Sequence, residues 1–424
     1  MKPTICPALF LFAAVLATPG KDVVLPPPAH HGHGEHEEHE ANLWTGEGVS
    51  LGGVLFPDFH FQAAAGDSSA EPADLAVGHH DPDRRGITIQ NIEFGLVARL
   101  TERFTFVSHY AVKIDLEDHW NDELEEVYFN AKDLPGGLAV RAGRFYAPIG
   151  RHNLLHPHDF TFVDQHLASG RMVGEDSLAL HGAQISLPVV RALPMGWSDR
   201  ITLAFGKTPE PEEEGEEHAD GAEVEPLSGA LEEAEEVHEA IDGEGALHDG
   251  WTFVADYSVS REWGQQRVQT GVSGAWGENR AGGDTQLYAL HGEYLWRAGG
   301  AHEHHVDVHG NYFRVHGELW LRNWDAPSGG RDHDLTDAGG WLAVSYGLPR
   351  GGVSAHVRGE YVSGVAEAEL EERWRVSPAL TWRPLESVNA RLVAQYNYDH
   401  FPTSRGDEHS FWLQFSFTWG SHID

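Results

Sequence analysis

A histidine-rich stretch in the first half of the chain, residues 151–166, has the sequence RHNLLHPHDFTFVDQH. Imidazole and carboxylate groups bind divalent transition metals, act as general acids and bases, or line ion pathways. The polar candidates here are His152, Asn153, His156, His158, Asp159, Asp164 and His166. A β pattern stops before this stretch and another starts soon after it, so its chemistry depends on the elements that flank it.

Two other regions combine histidine with carboxylate. The tract HHGHGEHEEHE contains His30, His31, His33, His36 and His39, and an acidic stretch at 208–249 contains His218, His238 and His248. These side chains suit zinc, nickel or copper, and a flexible tract is expected to bind such ions weakly and exchangeably. A solvated linker and an acidic unstructured loop are the alternatives. No cofactor is required, and zinc is expected only as a transported or loosely bound ion.

The charge balance excludes some function classes. The formal net charge is −37, which argues against nucleic acid as a partner and favours attraction of cations. The sequence contains no H-E-x-x-H helix motif and no G-x-S-x-G elbow. We therefore predict that the protein is not an enzyme.

The N-terminal region predicts export. Residues 1–20 have an early lysine, a short apolar run and small residues at the end, as in a signal peptide. The only cysteine, Cys6, lies within this segment, so the mature chain is predicted to be free of thiols. Residues 21–47 carry the first histidine tract and lack a core-forming pattern, which predicts a flexible periplasmic tail.

From residue 48 to 424 the sequence alternates between two unlike faces. In the last segment Phe411, Leu413 and Phe415 share one face, opposite Trp412 and Gln414. About sixteen such segments of membrane-crossing length are separated by alternately short and longer connections, which is typical of a transmembrane antiparallel β-barrel. The eleventh strand is predicted at 305–320, with a longer connection at 321–337. A soluble all-β exported protein is the alternative.

A known family resembles part of the chain, about residues 86–190. The shared residues are Gly143-Arg144-Phe145, Gly150, Asn153, His156, His158, Val163-Asp164, Gly182 and Pro188. They resemble Gram-negative outer-membrane porin-like proteins related to the phosphate-selective porins O/P, often labelled zinc-regulated outer-membrane receptors. The resemblance implies a sixteen-stranded barrel whose third external loop, 150–177, folds into the pore. The excess of acidic residues differs from the composition that a phosphate-selective pore requires. Too few residues precede the first strand to form the plug domain of an energised receptor.

We therefore predict a passive channel in the cell outer membrane that passes small ions and favours divalent cations such as zinc. The seven polar residues of 151–166 are predicted to form the pore constriction. The alternatives are a general, anion or organic-solute porin with incidental histidines, and a barrel-anchored protein that sequesters metal. Expected partners are outer-membrane lipid and small ions or solutes, with a periplasmic metal-binding protein as a further candidate. A homotrimer and a monomer both fit the sequence.

Overall fold

The structure is a computed structural model that describes residues 55–114, 120–189, 193, 196–209, 244–298, 310–328, 331–349, 352–384, 389–403 and 405–419. The predicted signal peptide and the tail histidines His30, His31, His33, His36 and His39 lie outside the described residues. His218 and His238 of the acidic stretch also lie outside them.

Sixteen antiparallel strands close into one barrel, with β1 paired to both β2 and β16. Their bounds are β1 Leu55–Ser68, β2 Gly86–Arg99, β3 Phe104–Ile114, β4 Trp120–Leu134, β5 Leu138–Tyr146, β6 Ala179–Leu187, β7 Trp197–Lys207, β8 His248–Trp263, β9 Gln266–Asn279, β10 Asp284–Arg297, β11 Tyr312–Ser328, β12 Arg331–Gly347, β13 Val353–Val362, β14 Arg373–Trp382, β15 Asn389–Phe401 and β16 Gly406–Trp419. The predicted all-β barrel of sixteen strands is confirmed.

In the part of the chain that the structure describes, helical structure is confined to short pieces in the connections. The helices are α1 Pro72–Leu75 and α2 Leu167–Val173, with 3-10 turns at His152–Leu154, Pro157–Asp159, Glu244–Ala246 and Ala366–Ala368. No helix among the described residues is long and apolar enough to cross a membrane.

The two faces of the barrel wall differ as the alternation predicts. On β16, Phe411, Leu413 and Phe415 are exposed, whereas Trp412 and Gln414 are buried. The same pattern recurs around the barrel, so polar side chains are buried on the inner face and apolar ones form the outer surface. This arrangement places charged groups where only other protein groups or water can pair them.

The prediction for the eleventh strand was wrong in position. β11 covers Tyr312–Ser328 and β12 begins at Arg331, so most of the expected connection 321–337 is paired strand. The polar composition of this hairpin resembles a loop, but its backbone groups are paired from Tyr312–Gly347 to Ser328–Arg331. A polar strand is stable at the end of a hairpin, where it does not have to face lipid.

An irregularity in the pairing of β3 with β4 changes which residues face inward. On β4, His109 of β3 pairs with Glu126 and Tyr110 pairs with Leu124, so Glu125 has no partner residue on β3. Such a bulge turns an extra side chain toward the same face as its neighbour. As a result, Glu125 and Glu126 are adjacent in sequence and both buried.

Gly143 on β5 occupies a position that only glycine fits. Its φ is +139°, and an added Cβ would lie 2.2 Å from the carbonyl oxygen of Val127. Both the backbone conformation and the closeness of β4 exclude a side chain there.

We predict that Gly143→Ala destabilises the barrel, because the strained backbone alone costs about 1–3 kcal/mol. The measurement is the urea midpoint of unfolding in detergent micelles, followed by the mobility of the folded band. Gly359→Ala on β13 is the matched control, since no atom lies within 4 Å of its added Cβ. Equal midpoints for the two variants would contradict this account.

Candidate functional site

The connection between β5 and β6, residues 147–178, contacts strands on many sides of the barrel, and we call it the β5–β6 segment. Its Gly150 N–H donates to Ser273 Oγ of β9 at 2.8 Å, and its Val163 N–H donates to Gln395 Oε1 of β15 at 2.7 Å. His158 Nδ1 lies 2.7 Å from a carboxylate oxygen of β2. The contacts of the segment extend over β1–β4 and β9–β15.

Asn153 fastens the two ends of the segment together. Its Nδ2 donates to the carbonyl oxygens of Ala147 and Leu178, at 2.9 and 3.0 Å, and its Oδ1 accepts from Leu178 N–H at 2.7 Å. The amide is completely buried, so these bonds satisfy groups that water does not reach. Asn153 therefore has a positioning role in this structure.

Asp164 attaches the segment to strands β13–β15. Its carboxylate accepts from Arg358 at 2.6 Å, Arg375 at 3.0 Å, Gln395 at 2.6 Å and Asn397 at 2.8 Å. Burial alone would raise the pKa of Asp164, but the two guanidinium groups outweigh it and hold the pKa at about 2. The charge is fully paired, which leaves Asp164 little capacity to bind a passing ion.

His152 and His166 lie in apolar surroundings. The ring of His166 stacks on Trp341 at 3.8 Å between centroids, and the ring of His152 lies edge-on to His166 at 4.1 Å. Burial and the nearby charge of Arg358 lower the pKa of His152 to about 3. Burial likewise lowers the pKa of His166 well below its usual value, helped by His152 and Arg358. Both histidines are therefore neutral near pH 7.

A second group of histidines lies against carboxylates, and we call it the His/Glu cluster. Its members are His60 of β1, Glu93 of β2, His109 of β3, Glu125 and Glu126 of β4, and His156 and His158 of the segment. Cross-strand register brings the strand members together, because His60 pairs with Glu93 and His109 pairs with Glu126. All seven residues are buried.

His156 is at the centre of this cluster. Its Nδ1 lies 3.1 Å from Glu125 Oε2 and its Nε2 lies 3.1 Å from Glu126 Oε2. Burial alone would lower the pKa of His156, but Glu93 and Glu125 outweigh it and raise the pKa well above its usual value. The pKa of His158 is also raised, because burial alone would lower it but Glu93 and Asp159 outweigh burial. This face of the segment therefore favours positive charge.

The remaining predicted site residues are less central. Asp159 is partly exposed, with Oδ2 3.7 Å from His158 Nε2. His248 begins β8, buried, and pairs in the sheet with Asn279. Among the described residues, His248 belongs to none of the three groups of histidine and carboxylate whose ligand atoms lie within 4.8 Å of one another.

A smaller group of histidines lies next to the cluster, in the connection between β1 and β2. His79 Nδ1 is 2.8 Å from Asp176 Oδ1 and 3.9 Å from Glu123 Oε2. His80 Nε2 is 3.7 Å from Glu125 Oε1, so it joins this group to the His/Glu cluster. These side chains are partly buried rather than fully enclosed.

The members of the cluster that lie on strands were not predicted. The predicted constriction did not include His60, Glu93, His109, Glu125 or Glu126. Glu93 carried a signal, because it is a carboxylate on the inner face of a cleanly alternating strand. Glu125 carried none, since only the bulge brings it to the face of Glu126.

Empty space remains on the side of the segment away from the His/Glu cluster. A small cleft lies between the segment and β10–β12. Its lining includes Arg151, His152, Arg314, His316 and Trp341. Its border therefore combines arginines and histidines with the carboxylates Asp159 and Glu318, whereas the His/Glu cluster lies across the segment.

Solved structures with the same fold are outer-membrane proteins. OprB of Pseudomonas putida has a TM-score of 0.52 and 9% identity, covering 87% of this chain and 94% of that one. An anion-selective porin from Comamonas acidovorans has a TM-score of 0.50 and 10% identity, covering 87% and 99%. OmpT, an outer membrane protein of Vibrio cholerae, has a TM-score of 0.50 and 10% identity, covering 88% and 99%.

No family model and no curated protein matches the sequence. At these identities the likeness to solved structures establishes a porin-type barrel and nothing about cargo. The predicted relation to phosphate-selective porins or to the zinc-regulated group stays a prediction.

We predict that Asp164→Ala loosens the β5–β6 segment, because removing one partner of a buried ion pair costs about 3–5 kcal/mol. Limited proteolysis of the folded barrel should then cut within 150–177 at a faster rate. Asp159→Ala is the control, since that carboxylate is partly exposed. Equal cleavage of the two variants would contradict an anchoring role for Asp164.

We also predict that acid weakens the attachment around His152. A detached imidazole protonates below about pH 6.5, whereas the buried one stays neutral down to about pH 3, so falling pH between these values favours detachment. His166 acts in the same direction. Asp81, in the connection between β1 and β2, accepts from Gln165 N–H of the segment at 2.7 Å; burial raises its pKa to about 6, so Asp81 opposes the effect.

The measurement is hydrogen exchange of peptides covering 150–160 at pH 7 and pH 4.5, corrected for intrinsic rates. His152→Gln should reduce the pH dependence while leaving the effect of Asp81 unchanged, so the difference between the two proteins isolates His152. An identical pH dependence in both proteins would refute the assignment.

Proposed function

We propose that the protein is a passive outer-membrane channel for small ions that favours divalent cations such as zinc. The proposal includes the inward course of the β5–β6 segment, which would cross the lumen and form the constriction. The observation that carries it is the His/Glu cluster, which gathers buried carboxylates and histidines on the inner face of β1–β4.

The distribution of charge supports cation preference. Glu93, Glu125 and Glu126 are 0%, 1% and 5% exposed, and histidines are the ion-pair partners described for Glu93 and Glu125. Arginines on β11, β13 and β14 are paired with acidic groups instead, as Arg322 is with Asp337 at 2.8 Å. A row of paired guanidinium groups attracts anions weakly, whereas carboxylates beside histidine keep an affinity for metal ions.

The neighbouring group at His79 and His80 supports a route into the cluster. It lies in the connection between β1 and β2, at an end of the barrel, and contacts Glu125 through His80. An ion held there would reach the His/Glu cluster by exchanging one carboxylate for the next. No catalytic step is part of this function.

A barrel that anchors a metal-binding surface is the second candidate. Close packing favours it, since Asn153, Asp164 and His166 are all buried. In that case the wild-type protein would conduct poorly, and loosening the segment would open it.

We predict cation selectivity in planar bilayers at low salt, where fixed charges are least screened. Glu126→Gln should reduce the cation-to-anion permeability ratio roughly fivefold, because one charge beside the path is worth on the order of 1 kcal/mol. Glu367→Gln is the control, since that carboxylate is exposed outside the strands.

Liposome flux of zinc, phosphate and a small sugar completes the test. Faster entry of zinc than of phosphate supports the proposal. Anion selectivity would overturn it, equal entry of all three solutes would favour a general porin, and absence of flux would favour the anchoring function.

A further inference from the structure

We propose that Glu93, His109 and His156 form a discrete binding site for one divalent transition-metal ion, with Glu125 as a fourth ligand. The site adds a defined ion-binding position to the proposed function. It rests on that function, because the ion has to enter through the proposed channel. Three of its four residues come from the barrel wall, and only His156 belongs to the β5–β6 segment. The site therefore shares no residue with the metal-binding histidines predicted at 30–39 and 218–248.

The spacing of the ligand atoms fits a tetrahedral ion. Zinc ligands lie about 2.0–2.2 Å from the metal, so two ligands of a tetrahedral site are about 3.3 Å apart. Glu93 Oε1 lies 3.4 Å from His109 Nδ1 and 3.6 Å from His156 Nδ1. Glu125 Oε2 lies 3.1 Å from the same nitrogen of His156. The two distances to Glu93 Oε1 exceed the usual hydrogen-bond range and lie near the spacing of ligands that share an ion, whereas the 3.1 Å contact fits either a hydrogen bond or shared coordination.

The lack of a hydrogen bond to Glu93 Oε1 also indicates a bound ion. This atom is a fully buried carboxylate oxygen that accepts no hydrogen bond, although two imidazoles face it. A buried polar atom without a hydrogen bond costs free energy, and the cost is larger for a charged group. A cation between the three side chains would remove that cost.

The groups around these ligands are arranged as they are around bound metals. When His156 Nδ1 binds the ion, its Nε2–H can donate to Glu126 Oε2 at 3.1 Å, which replaces the 2.8 Å contact between Nε2 and His109 Nδ1. The other oxygen of Glu93 is 2.7 Å from His158 Nδ1, so the ligating carboxylate is itself oriented. A carboxylate that accepts from a ligating histidine, and a donor that bonds to a ligating carboxylate, hold the ligands in place and increase the affinity for the metal ion.

The donor set selects the class of ion. Two imidazole nitrogens with two carboxylate oxygens suit zinc, cobalt or nickel, whereas calcium and magnesium require shells made of oxygen. The charge also fits, because two carboxylates and two neutral imidazoles balance a divalent cation. The neighbouring group at His79 is a poorer site, since Arg144 Nη2 already occupies Glu123 Oε1 at 3.0 Å.

The test uses the full chain in detergent with zinc or cobalt ions alone. An anomalous difference map from crystals equilibrated with cobalt should show a peak within about 2.0–2.2 Å of Glu93, His109 and His156. Equilibrium dialysis should show one fewer zinc ion per chain in His109→Gln than in the wild type. Glu126→Gln should keep the site but weaken it about 10–100-fold, as loss of a supporting carboxylate does.

His291→Gln is the matched control, because His291 is also buried on a strand but lies in none of the described groups with shared ligand spacing. Absence of the peak, or equal zinc stoichiometry in His109→Gln and His291→Gln, would overturn the site. If a variant does not fold, the map of the wild-type protein decides alone. These experiments measure binding and not flux. A protein that binds zinc but does not conduct it would therefore overturn the proposed channel and leave the proposed metal site standing.

Discussion

The burial of charge inside a closed wall is the constraint on which the rest of this structure depends. A barrel with an apolar outer surface must keep its polar side chains inward, where each charge needs a partner or a high cost follows. The β5–β6 segment supplies partners on both of its sides. Asp164 neutralises arginines of β13 and β14, and His156 and His158 meet the glutamates of β2 and β4.

The two sides of the segment therefore have different chemistry, although they share one histidine-rich sequence. His152 and His166 are kept neutral among aromatic rings, where they pack rather than bind. His156 and His158 face carboxylates, where an imidazole and a metal ion compete for the same oxygen atoms. A protonated histidine and a divalent cation are alternative ways to balance that charge, which is why the proposed metal site and the attachment of the segment are coupled.

Much of the fold could be predicted, because alternation has a fixed period and a membrane fixes the length of a strand. The hairpin of β11 and β12 was misplaced because its polar residues resemble a loop, and only pairing reveals it as strand. The segment residues of the site were found from residue type alone. Glu93 and His109 required knowledge of which strands are neighbours, and Glu125 required a bulge that alternation cannot show.

The central claim is that a divalent cation occupies the His/Glu cluster on the path of permeating ions. Zinc block of potassium current in single-channel recordings tests it most directly. Added zinc should reduce the potassium current of the wild-type protein in a saturable manner, and Glu93→Gln should relieve the block while His291→Gln does not. Block of equal strength in all three proteins, or potassium current that zinc leaves unchanged, would contradict the account.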